Sequence, residues 1–270
     1  MPHEPDRDPR AAFVLEADFE ATEGFWHQHR RAQLVHSDDG VITVKTKTGR
    51  WVAPPQRAVW IPPGVEHAVA SKRPFKLLTL YVEAGIVALP EVPRVVAVDR
   101  LVEELLRAAA KHPRSAPKGG AEDRLVRVIL DRLPALETAP LLHLPDATSK
   151  ELQRITRALA NDPSDPRTLD EFAAEMGASA RTAARKFLSE TGLTFGQWRT
   201  QQRLVAALER LASGSSVTAV AFEVGYTDVS SFIAAFKAAT GETPARYFES
   251  KTDDAAPVSA KAESRRRRRA

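Results

Sequence analysis

The chain contains no cysteine. That absence excludes disulfides, thiol nucleophiles and every cysteine-ligated metal site, and it fits a reducing compartment. Also missing is any apolar run near the ~18 residues needed to span a bilayer. The opening Met1-Pro2-His3-Glu4-Pro5 lacks the basic-then-apolar order of a secretion signal. Together these absences predict a soluble cytoplasmic protein with no membrane partner. A strong charge excess is lacking as well: 39 Lys and Arg against 35 Asp and Glu give a formal net charge of +4. Part of that is the run Arg265 to Arg269, which leaves the rest of the chain nearer neutral. A surface coated throughout for nucleic acid is excluded, whereas a local basic face is not. What the chain does have is length, 270 residues, and apolar material, 43% of them. Two domains of ordinary size are the expectation.

Composition and period divide the chain. Residues 1–12 are rich in Pro, Asp and Arg and are expected to be disordered. Short apolar runs broken by turn residues follow: Gln33 to His36, Val41 to Thr46, Arg50 to Ala53, Arg57 to Ile61, His67 to Ala70 and Phe75 to Val82. Repeated short strands with Gly and Pro punctuation predict an antiparallel barrel or sandwich. The period then turns helical. Leu101, Leu105 and Leu106 share one helical face, Leu125, Val128, Ile129 and Leu133 share another, and a loop from Lys111 to Gly120 separates them. A proline-rich break over 135–147 predicts a linker, 148–249 reads as helical, and 250–270 as a disordered basic tail. The fold class is therefore α+β in two domains: an antiparallel β-barrel with helices over 13–134, then an all-α domain.

The helical half carries one pattern twice. Thr168 caps a helix with Glu171 three residues on, a capping-box arrangement, and Leu169, Phe172, Ala173 and Met176 form its apolar stripe. Gly177 ends it, and Ser179 caps a second helix with Ala183, Phe187 and Leu188 inward and Arg181, Arg185 and Lys186 outside. A short helix, a Gly turn and a second helix basic near its start is the helix-turn-helix layout, in which the second helix enters the major groove. The pattern recurs with Val217, Val220, Ala221 and Val224, then Gly225, then a helix from Asp228 or Val229 that carries Phe232, Phe236 and Lys237. Between the units, Trp198, Leu204, Ala207, Leu208 and Leu211 mark a connecting helix. Two units on one rigid spacer suit major-groove segments about 34 Å apart on one side of DNA.

The run Gly225-Tyr226-Thr227-Asp228-Val229-Ser230-Ser231-Phe232-Ile233-Ala234-Ala235-Phe236-Lys237, with Thr240-Gly241-Glu242-Thr243-Pro244-Ala245-Arg246-Tyr247-Phe248, resembles the AraC/XylS transcription-regulator signature. Phe187 to Thr194 and Trp198-Arg199 match its first half. The resemblance implies operator DNA as partner, with Arg181, Ala184 and Arg185, flanked by Lys186, facing bases in the first unit. In the second unit it implies Val229, Ser230, Ile233 and Ala234, with Lys237 beside them. The two readers differ: two guanidiniums can each make a bidentate contact to guanine worth ~1–3 kcal/mol of discrimination, whereas hydroxyls and small apolar groups offer less. The first unit is expected to carry most of the base specificity, and the second to position the protein or touch thymine methyls. The bland alternative is that Arg181 and Arg185 only solvate an exposed helix.

In the amino half, His27-x-His29-x3-Gln33-x6-Gly40 and Pro62-x-Gly64-x2-His67 resemble the two cupin motifs. That resemblance implies a small barrel with three histidines and a fourth ligand turned inward. Two departures stand out: Gln33 occupies the glutamate place, and Ala21 and Gln56 stand where each motif opens with glycine. A neutral amide offsets no divalent charge, so His27, His29, Gln33 and His67 would hold a divalent transition metal more weakly, or bind a ligand or one another without it. Trp60, Trp51, Phe25, Phe75 and Tyr81 are candidate walls for a small-molecule effector, and Arg30, Arg31, Arg50 and Arg57 would balance an acidic one if turned inward. A cupin amino half joined to an AraC-type carboxyl half resembles a subgroup of these regulators that includes a nitroimidazole-responsive type.

A homodimer is expected, with the helices after the barrel pairing two subunits to match repeated half-sites. An activator would also meet RNA polymerase. The rival reading is a metal-dependent cupin enzyme with a DNA-binding appendage. It lacks a separate acid/base pair, since Glu66 beside His67 alternates to the other face. An architectural DNA protein explains neither the clustered histidines nor the modest charge.

Overall fold

The computed structural model describes residues 4–38, 40–88, 90–111, 119–138 and 143–249. Expectations for residues 1–3, for 112–118 of the helix-connecting loop and for the 250–270 tail lie outside the described residues. Among the described residues, no helix is long and apolar enough to cross a membrane.

Among the described residues, the amino half has nine strands: β1 (Ala12–Phe19), β2 (Ala32–Ser37), β3 (Ile42–Thr46), β4 (Gly49–Ala53), β5 (Arg57–Ile61), β6 (His67–Ala70), β7 (Phe75–Val82), β8 (Arg94–Ala97) and β9 (His143–Pro145). They form two antiparallel sheets, ordered β1-β7-β2-β5-β8 and β6-β3-β4-β9. The central strands of the five-stranded sheet, β2, β5 and β7, are buried on both faces. Val35, Val59, Ile61, Phe75 and Leu77 join an inner cluster with Ile42, Val44 and Val52 of the second sheet. Leu34, Ala58, Trp60, Leu78 and Leu80 alternate to the outer face, under helices α1 (Arg100–Ala110) and α2 (Ala121–Arg132). Burial on both sides explains why β7 reads as a near-continuous apolar run.

The helical faces are rotated from their expected settings. Val102, Leu106 and Ala109 are the buried stripe of α1, while Leu101 is 53% exposed; on α2 Ile129 is buried and Val128 is 42% exposed. Each helix carries more apolar positions than its narrow contact with the sheet uses.

Two further expectations change. The amino-terminal segment is tied down: the Asp6 carboxylate accepts from the Arg30 backbone N–H, and the buried Arg31 guanidinium donates to the carbonyls of Asp8, Arg10 and Ala11. The proline-rich break also contains β9, which pairs Gly49 with Pro145 and Trp51 with His143. Its last residue accepts a hydrogen bond from Trp198 Nε1 at 2.8 Å, which joins the barrel sheet to the helical half.

The carboxyl half comprises α3 (Lys150–Asn161), α4 (Leu169–Glu175), α5 (Ala180–Thr191), α6 (Phe195–Ala212), α7 (Val217–Glu223), α8 (Val229–Thr240) and α9 (Pro244–Glu249). Thr168 and Glu171 form the expected capping box, and a second one, Thr194 with Gln197, opens α6. Ser179 and Asp228 accept from backbone N–H groups at the starts of α5 and α8. Phe172, Phe187 and Trp198 pack with α3 in one core; Val220, Val224, Phe232 and Phe236 pack with the later part of α6 in another.

Candidate functional site

In the first unit, α4 ends at Glu175, Gly177 at φ +66° reverses the chain without steric cost, and α5 starts at Ala180, three residues on. Ala183 and Phe187 anchor α5 in the core, which leaves Arg181, Ala184 and Arg185 exposed. Two departures are clear. Leu188, expected inward, is 49% exposed, because Phe187 fills the core position beside it. Lys186 pairs with Glu151 of α3 at 2.9 Å instead of standing free.

The second unit repeats the plan. Gly225, at φ +89°, makes the turn between α7 and α8. Phe232 and Phe236 are fully buried, Ser230, Ala234 and Lys237 are exposed, and Val229 and Ile233 are half-buried against the core. The end of α8 meets the barrel. Arg57 donates to the Thr240 carbonyl at 3.1 Å and lies 5.6 Å over the Tyr247 ring, whose hydroxyl donates to the Pro55 carbonyl at 2.9 Å. Gln56, in this same turn, adopts φ +63° although it is not glycine, so the backbone shape of the motif survives the substitution.

Inside the barrel is a cavity of about 340 Å3. Leu15, Ala17, Phe19, Phe25, Val69, Phe75 and Leu77 form its apolar walls, and His27, Gln33, Thr79 and Tyr81 its polar end. The ring nitrogens of His27, His29 and His67 come within 4.8 Å of one another. In each ring Nδ1–H donates to a backbone carbonyl: Phe25 for His27, Arg31 for His29 and Val65 for His67. The three Nε2 atoms are therefore left as acceptors. Gln33 Oε1 lies 3.1 Å from Nε2 of both His29 and His67, while its amide N–H groups donate to Thr79 Oγ1 and Tyr81 OH. Thr79 spends its own proton on the Leu34 carbonyl, so it can only accept from Gln33, which holds the amide oxygen toward the histidines. Burial pushes His67 down to about 4 and lowers His27, so neither ring supplies a proton at neutral pH. Burial also pushes Tyr81 up to about 12, which keeps its phenol protonated.

The structure brings His27, His29, Gln33 and His67 together. Gln33 lies on β2, whereas His27 and His29 precede it in an irregular segment held by a bridge between His27 and His67. Trp60 does not line this cavity: alternation along β5 sends it to the outer face, where it lines a separate groove and its Nε1 donates to the Pro90 carbonyl. Trp51 stacks on His143 at 3.7 Å, away from the cavity. None of the four arginines turns inward, since Arg30 meets Asp6, Arg50 pairs with Asp146, and Arg31 and Arg57 bind backbone carbonyls. Glu66 faces Lys47 at 2.7 Å, outside. Leu15, Ala17, Phe19, Leu77 and Thr79 escaped the sequence reading, although every second residue of β1 and β7 faces the same side.

A family model described as an AraC-like ligand binding domain matches residues 11–128, and one for a helix-turn-helix domain matches 172–250. The HTH-type transcriptional regulator NimR of Escherichia coli is 34% identical over 97% of this chain and 96% of its own length. The chain belongs to the AraC family of transcription regulators. The regulator RipA of Corynebacterium glutamicum is 37% identical over 46% of this chain and 35% of its own. Among solved structures, ToxT of Vibrio cholerae with a bound unsaturated fatty acid aligns over 89% of this chain and 96% of its own. Its TM-score is 0.37 at 11% identity, a likeness too loose to carry detail across. The family assignment makes this chain a DNA-binding regulator and sets aside the cupin-enzyme reading.

Proposed function

We propose that this regulator reads operator DNA chiefly through Arg181 and Arg185, and that a small molecule in the barrel cavity sets how firmly the barrel restrains the second reader. The observation that carries the first part is the exposure of both guanidiniums, one turn apart, at the start of a capped helix anchored by Phe187. Ser230, Ala234 and Lys237, with the half-buried Val229 and Ile233, offer backbone contact and thymine methyls a surface but no bidentate fork. Lys186, held by Glu151, serves as a phosphate contact at most. In this reading the protein works in the cytoplasm as a homodimer, with the outward Leu101 and Val128 at the subunit contact.

A divalent transition metal on His27, His29, His67 and Gln33 completes the cavity floor. Four acceptor atoms converge there, and a cation satisfies them all at once. Rotating the Gln33 amide is the metal-free alternative: its N–H groups would then donate to Nε2 of His29 and His67, and its oxygen would face the hydroxyls of Thr79 and Tyr81. Elemental analysis decides between them: metal should copurify with the wild type and be lost from His29→Ala, and a metal-free wild type would refute the site. For DNA, Arg181→Ala and Arg185→Ala should each weaken operator binding and relax base preference. Unchanged affinity and preference in both would overturn the assignment.

A further inference from the structure

We infer that Arg203 is a positioning residue for DNA recognition, a guanidinium in α6 that fixes the separation of the two reader helices. The inference rests on the two-reader proposal above. The units have separate cores, and α6 is the element that enters both: Trp198 belongs to the first core, and Leu204, Leu208 and Leu211 to the second. A shared helix sets the distance along its own axis, at about 1.5 Å per residue, but not how far each unit swings around it. A side chain that grips both units is needed for that.

Arg203 grips both. Its Nε donates to the Pro163 carbonyl, in the loop between α3 and α4, at 3.1 Å. Its guanidinium carbon lies 5.7 Å from the ring centre of Tyr226, in the turn of the second unit. Between them the backbone of Gly225 packs so closely that a β-carbon there would sit 2.8 Å from Arg203 Nη2 and 2.8 Å from Ser164 Cα. The second unit's turn therefore rests directly on the loop leading into the first unit, with the arginine wedged in the seam. Arg199, one helical turn earlier, donates to the Arg167 carbonyl and lies over Phe195, so it holds the first unit alone. Burial works against the charge of both arginines, and they also repel each other. That unfavourable pairing persists where one of the two spans the seam between units.

DNA gives this clamp a use. Successive base pairs advance about 3.4 Å along the axis, so a reader pair with a fixed separation rejects half-sites one base pair out of step. A loosened pair would tolerate them.

The test uses the full-length protein and an operator selected from random duplexes, rebuilt with one base pair added to or removed from the spacer. Wild type should lose roughly tenfold in affinity or more for each shifted spacer, a loss of the size expected for a misplaced base contact. Arg203→Met should shrink that penalty to about threefold or less, whereas Arg199→Met should keep it. Tyr226→Leu, which removes the other side of the clamp, should reproduce the relaxation and stands in if Arg203→Met does not fold. A full spacing penalty in folded Arg203→Met, or in Tyr226→Leu if only that variant folds, overturns the clamp. So does a wild type that binds its operator specifically with no spacing preference. A wild type without specific binding would instead overturn the two-reader proposal beneath it.

Discussion

The two helix-turn-helix units share a plan and differ in their surroundings. Both have a capped reader helix, a glycine turn with positive φ and a phenylalanine core. The first exposes Arg181 and Arg185 and is fastened to the barrel through β9, whose Pro145 carbonyl accepts from Trp198. The second exposes small side chains and Lys237, and the end of its reader lies against the barrel turn at Pro55 and Arg57. Its core runs without a break into the inner cluster of the barrel. Both units thus meet the barrel, the first through β9 and the second through the end of α8, and in the proposed reading the guanidinium pair belongs to the first.

The largest expected effects test whether the two cores are independent. Phe187→Ala and Phe236→Ala each remove a fully buried ring and should cost about 3–5 kcal/mol. Calorimetry should show Phe187→Ala melting the first unit early while the barrel transition stays. Phe236→Ala should lower the barrel transition too, because its cluster is shared. Next in size, Arg181→Ala and Arg185→Ala should each lose ~1–3 kcal/mol of base discrimination in anisotropy titrations, against less than about 0.5 kcal/mol for Ser230→Ala. Tyr247→Phe removes the hydroxyl bonded to Pro55 and should cost about 1 kcal/mol in urea unfolding, with operator preference unchanged.

The smallest effect concerns the attachment of the first unit. Burial pushes His143, stacked on Trp51, down to about 4. A folded-state value below the unfolded one means that protonation favours the unfolded chain. The contribution of the neutral ring is complete above about pH 6.5 and is lost as pH falls toward about 4. His143→Phe keeps the stack and removes the titration, so its urea midpoint should fall less than wild type between pH 7 and pH 5.

Local signals were legible where one or two residues determine a local shape. The Thr168–Glu171 box, the turns at Gly177 and Gly225, and six strand runs were readable because caps and glycine φ values act within a few residues. Faces were harder. Trp60 and Ile61 are neighbours on a strand buried on both sides, so hydropathy alone does not say which faces inward. Leu101, Val128 and Leu188 sit on helices with spare apolar positions, and contact geometry decides which are used. The strand β9 hid in a proline-rich stretch because its partner, β4, lies far back in the chain. The histidine cluster was readable from motif spacing, but the acceptor-only arrangement was not. It depends on Thr79, which reaches Gln33 across 46 positions of sequence.

The most direct measurement is selection of binding sites from a randomised duplex library by the full-length protein. Two half-sites about one helical turn apart should emerge, with guanine strongly preferred only under the first unit and lost in Arg181→Ala with Arg185→Ala. Half-sites of equal sharpness that survive the double variant, or no enriched sequence at all, would contradict it.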